Sequence, residues 1–82
     1  MEYVNEKYRN YLEDLGKEIL DLAWQAKAKR DGSISGQERH YNDGYLMAFH
    51  RVISLMQQQT IGFSISLEEL HLNEIDPDSD LI

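Results

Sequence analysis

Lys29-Arg30-Asp31-Gly32-Ser33-Ile34-Ser35-Gly36-Gln37-Glu38 is the stretch that decides the fold. It closes one helix and opens another within a few residues. Lys29 and Arg30 suit a helix C-terminus, where the carbonyl ends of the backbone favour positive charge. Asp31-Gly32-Ser33 then breaks the periodicity, with Gly32 expected as the left-handed residue after the last turn. Ser35-Gly36-Gln37-Glu38 has the form of a capping box. The Ser35 oxygen can accept from the Glu38 backbone N–H, and the Glu38 carboxylate can reach back. Two helices joined by four or five residues must fold back on each other as an antiparallel hairpin.

Upstream, a helix is expected over about 2–30. Val4, Tyr8, Tyr11, Leu15, Ile19, Leu22 and Ala26 step by 4, 3, 4, 4, 3 and 4, an apolar stripe at helical period. Leu12, Leu20, Ala23 and Trp24 widen it. Gly16 is the one poor helix former inside, costing about 1 kcal/mol against alanine. Glu13 and Lys17 are spaced for an i,i+4 pair. Downstream, a second helix is expected over about 36–60, with Gly62 as its stop. Tyr41, Tyr45, Ala48, Val52 and Leu55 form one apolar row, and Leu46, Phe49, Ile53 and Met56 a second beside it. Gly44, near the level of Trp24, is either a seat for the indole or a tolerated surface glycine.

The last third begins with the same device as the second helix. Ser64-Ile65-Ser66-Leu67-Glu68-Glu69 shares the pattern S-I-S-x-x-E with residues 33–38. A short helix over about 67–71 follows from it, with Ile65 and Leu70 placed as a hydrophobic staple. Pro77 bars helix continuation into an acidic tail, residues 76–82. The fold class is therefore all-α: a hairpin of two long helices plus a short C-terminal helix, in a single domain over 1–82. One hairpin covers one stripe of each helix, and the second helix has two. A chain of 82 residues also buries only a modest part of its surface. Both points predict a homodimer closing into a four-helix bundle, with a three-helix monomer as the alternative.

Charge is distributed unevenly. Residues 1–51 carry eight basic residues against nine acids, a formal charge of −1; residues 52–82 carry six acids and no base, −6. An acidic chain lacks the clustered Lys and Arg that nucleic acid or an anionic membrane requires, so neither is expected as a partner. The absence of cysteine removes disulfides and thiolate metal sites. The charged N-terminus has no apolar core of a signal peptide, and the longest nearly apolar run, Tyr45 to Phe49, is too short to span a bilayer. A cytoplasmic location is expected.

No residue set points to catalysis, and no cofactor or metal is expected. Glu68-x-x-His71 has the spacing of a di-iron ligand pair, but one copy on two turns lacks the other ligands such a site needs. Asp76-Pro77-Asp78-Ser79-Asp80 has the opening of a calcium loop, but Leu81 stands where a glycine is needed and no glutamate closes it. His40 and His50 are about 15 Å apart by helical rise and share no metal. His40 and Asp43 form an i,i+3 pair on the surface of that helix. What remains is contact. Tyr3, Tyr8 and Tyr11 crowd one helix end, where tyrosine serves first as a core cap and otherwise as a contact residue for the dimer or a partner. Asp76, Asp78 and Asp80 form the acidic terminus. The expected function is a non-catalytic adaptor, inhibitor or subunit; the alternative is an acidic antagonist, of the immunity, antitoxin or nucleic-acid-mimic kind, directed at a basic protein partner.

Overall fold

The computed structural model describes the chain from Glu2 onward, and its side chains from Glu6; Tyr3 among the candidate contact residues and Val4 at the head of the stripe lie outside the described side chains. Two long helices, α1 (Glu2–Asp31) and α2 (Gly36–Gly62), form the hairpin. Two 3-10 turns (Leu67–Leu70 and Leu72–Glu74) and a one-turn helix, α3 (Pro77–Asp80), complete the chain, with no strand among the described residues.

The hairpin turn is held largely by side chains. Ser35 Oγ accepts from the Glu38 backbone N–H at 3.1 Å, as the capping box requires. The Glu38 carboxylate accepts from the Ile34 N–H at 3.2 Å, one residue further back than expected. Gly32 is not left-handed, since no glycine has a positive φ among the described residues. The reason lies in Asn42, which is buried on α2. Its amide donates to the Lys29 carbonyl at 3.3 Å and to Ser33 Oγ at 2.9 Å, and Ser33 Oγ donates to the same carbonyl. The carbonyls at the end of α1 are satisfied without a left-handed turn.

The end of α2 also departs from expectation. The helix runs through Gly62, and Ser64 takes the left-handed conformation at φ 59°. Ile65 N–H donates to the Thr60 carbonyl and Ser64 N–H to the Ile61 carbonyl, both at 2.9 Å, which is a Schellman closure. A side chain in that conformation costs about 1–2 kcal/mol. Ser64→Gly is therefore expected to stabilise by about 0.5–1 kcal/mol, raising Tm by a few degrees. A thermal melt that is unchanged or lower would count against this closure.

Residues 64–82 lie as a strap across one side of the hairpin. The expected α-helix over 67–71 is a 3-10 turn that ends at His71, itself left-handed at φ 60°. Glu69 completes the reach-back half of its box, accepting from the Ser66 N–H at 3.0 Å. Pro77 does not bar a helix but opens one, occupying the first turn of α3, where its missing N–H leaves nothing unsatisfied. Leu72 and Leu81 of the strap are 0% exposed, and Ile75 and Leu81 join Leu20, Ala23, Ala26, Leu46 and Ile53 in one core.

α1 meets the strap and α2 through Gly16, Leu20, Ala23 and Ala26, with Ile19 partly buried beside them, while Tyr8, Tyr11, Leu15 and Leu22 of its stripe stay exposed. α2 turns its Leu46, Phe49 and Ile53 row inward. Gly44 is exposed with open space around it and Trp24 is 41% exposed, so the indole does not seat on this glycine. The molecule measures 53 × 20 × 15 Å, one layer of two helices with the strap on one side.

Candidate interaction face

The strap is fastened by groups drawn from both helices. On α1, Arg9 reaches Glu69 at 3.6 Å and Glu13 meets His71 Nε2 at 3.1 Å. On α2, His50 Nε2 meets Asp78 at 3.0 Å, and the Gln57 amide donates to the Leu72 and Ile75 carbonyls, each at 3.0 Å. Arg30 is only 12% exposed and spends its whole guanidinium at this junction. It binds Asp31 at 2.9 Å, Asp43 at 3.5 Å and the Ile82 carbonyl at 2.8 Å. Asp43 thus turns to Arg30, not to His40. Glu13, expected opposite Lys17, turns to His71.

These contacts give the candidate acids local partners. Asp76 accepts from the Asp78 N–H at 3.2 Å and caps α3. Asp80 accepts from the Asp76 N–H at 2.8 Å, and Asp78 holds His50. The acidic terminus is folded onto the hairpin, although Asp78 keeps most of its surface in water. His71 turns its ring to Glu13 and Glu74 instead of pairing with Glu68, and among the described residues no group of three His, Asp or Glu side chains is arranged to hold a metal ion.

The other side of the hairpin has no strap. At 3.6 residues per turn, the strap-facing positions Glu13, Gly16 and Leu20 of α1 and His50 and Gln57 of α2 lie on one flank of the helix–helix contact. Tyr11 and Leu22 of α1 lie on the opposite flank, as do Tyr41, Tyr45, Val52 and Leu55 of α2, and Tyr8 and Leu15 of α1 border it on the side of the helix–helix seam. All eight are exposed, Tyr8 at 63%, Tyr11 at 62% and Tyr41 at 74%. Tyr45 leans edge-on against Phe49, ring centres 5.2 Å apart, which ties this surface to the core below it. Tyr8 and Tyr11 therefore stand on an open apolar face and do not cap the core. The sequence signal for this face was the row through Tyr41 and Leu55. Which of the two α2 rows would be exposed was not readable from periodicity.

A surface hollow adjoins this face along the outer side of α2, between Met47, Arg51 and Leu55. Every residue lining it comes from that one helix, so it has a floor but no opposing wall to enclose a small molecule. No helix among the described residues is long and apolar enough to cross a membrane. The fold and this face define a strapped helical hairpin with one covered and one uncovered side. Comparison with protein-family models, with curated proteins and with solved structures finds no match.

Proposed function

We propose that this protein acts through protein–protein contacts, as a subunit, adaptor or inhibitor, and that its first contact is with a second copy of itself. The uncovered apolar face carries this reading. Aromatic side chains bury about 150–250 Å² each when fully covered and aliphatic ones less, so the exposed fractions of its eight residues offer at most roughly 800 Å². That upper figure equals the area each partner contributes to a stable interface, about 800 Å². Monomers rarely expose apolar patches beyond a few hundred Å². Two such faces pressed together give a four-helix bundle with a strap on each outer side. The role needs no chemistry and no cofactor.

Light scattering behind gel filtration tests this. The expected mass is twice the 9.6 kDa of the chain, with the 9.6 kDa species itself as the overturning result. Val52→Lys should leave folding intact, because position 52 is exposed in the hairpin. It should raise the dimer Kd at least about 100-fold, through a charge buried in an apolar seam. An unmoved Kd would take Val52 out of the interface.

A second reading has its own support. The outer surface of the strap presents Glu68, Glu74, Asp76 and Asp78, with no basic residue from position 52 on. A basic protein partner docking there would bind through steered, salt-sensitive contacts. Capture that survives high salt, or that Val52→Lys abolishes, argues for the apolar face instead.

A further inference from the structure

Near mid-hairpin the two sides of the apolar face are bordered by charges of opposite sign, and this selects how two copies are oriented. Beside the α1 stripe, near mid-hairpin, stands Glu18; beside the α2 stripe, at nearly the same height, stands Arg51. The heights follow from the Arg30–Asp43 and Lys29–Asn42 contacts, which set α1 and α2 in register. Residue 51 then lies level with about residue 21, roughly 5 Å along the axis from Glu18. Both side chains are exposed, and neither is joined to another charged side chain among the described residues.

Two face-to-face arrangements with a two-fold axis are open to this hairpin. With the axis along the helices, α1 of each copy packs against α2 of the other, and the two turns share one end. With the axis across the helices, α1 packs against α1 and α2 against α2, and the turns lie at opposite ends. In the crosswise arrangement centred on the hairpin, Arg51 meets its own copy and Glu18 comes alongside the acid at position 21. In the lengthwise arrangement Arg51 meets Glu18 on both edges of the seam. Border charges of this kind contribute little to affinity but decide partner orientation, because like charges facing each other penalise the wrong pairing.

We infer that two copies pair lengthwise, with α1 against the partner's α2 and both turns at the same end, held in that orientation by reciprocal Glu18–Arg51 pairs. This rests on the self-pairing proposed above.

The chain has no cysteine, so Ile34→Cys at the tip of the turn, 93% exposed, gives one labelling site per copy. Dipolar electron spin resonance between nitroxides there should return a distance below about 30 Å, two neighbouring hairpin tips plus the label arms. A distance of about 40 Å or more, the length of α2, would overturn the lengthwise orientation while leaving self-pairing intact. The absence of any dipolar coupling, together with a monomer mass, would overturn the self-pairing itself. Charge reversal supplies a second readout in unlabelled protein. Glu18→Arg and Arg51→Glu should each raise the dimer Kd about 5–10-fold. The double variant should return to within about 2-fold of the parent; failure to recover would remove the Glu18–Arg51 pair.

Discussion

Replacing Gly16 with alanine is expected to lower stability by about 1–3 kcal/mol, although alanine is the better helix former by about 1 kcal/mol. The strap passes so close to α1 that a Cβ on Gly16 would stand 2.6 Å from the Leu70 carbonyl oxygen. That oxygen is backbone, positioned by the 3-10 turn and by the left-handed residue His71. It cannot swing aside as a side chain would. Either α1 or the strap must shift, and the strap is the lighter element. Its displacement loosens Leu70 and Leu72 from the core and pulls on the Glu13–His71 contact. Gly44→Ala is the matched control. The same substitution at a helical glycine with open space around it should stabilise by about 0.5–1 kcal/mol. Opposite signs in two urea titrations check the pair. Equal gains at both positions would mean the strap does not dock on Gly16.

Leu81→Ala is expected to cost about 2–5 kcal/mol, the range for a buried leucine truncated to alanine. Changes near a chain terminus usually matter little, because terminal residues are seldom tied down. Here Leu81 is 0% exposed, packed into the core with Leu20 and Ile53, and the next carbonyl along, Ile82, holds Arg30 at 2.8 Å. The loss has a ceiling. Once the strap leaves the hairpin, further damage to it costs nothing more, so the effect saturates at the free energy of docking. Hydrogen exchange should locate it, with protection lost first over residues 64–82 and only later in α1 and α2. Both substitutions act on the same docking event, so Gly16→Ala and Leu81→Ala together should cost less than their sum. Strict additivity would show that the strap does not dock as one unit.

Much of the backbone path was legible in the residues. The Ser35–Glu38 box, the basic end of α1 and the periodic stripes specify two helices and a turn through local chemistry that needs no tertiary context. The choice of buried side was not legible. The expected stripe is buried only in part: Ile19, Leu20, Ala23 and Ala26 face the core, but its bulky members Tyr8, Tyr11, Leu15 and Leu22 stay exposed, and α1 packs inward on Gly16 as well. Small residues let two elements approach α1 at once, α2 on one flank and the strap on the next, and bulky ones would hold both off. The two glycines divide in the same way. Gly44, by sequence either a seat for Trp24 or a surface glycine, is the surface glycine. Gly16 looked like a weak point in a helix and is where the strap backbone passes too close for a Cβ.

The chain's charge asymmetry shows the same division. Sequence alone establishes that all eight basic residues precede position 52 and that six acids follow without one. It also establishes the all-α hairpin, because caps, dipole-matched charges and helical period are properties of neighbouring residues. Only tertiary structure brings Arg9, Arg30 and His50 from the first two helices onto the acidic strap. That turns an apparent free tail into a docked element and leaves the opposite, apolar face as the open surface. Contacts between residues 28 to 60 positions apart depend on how the helices rotate about their axes, and that rotation is decided by the packing of the whole chain.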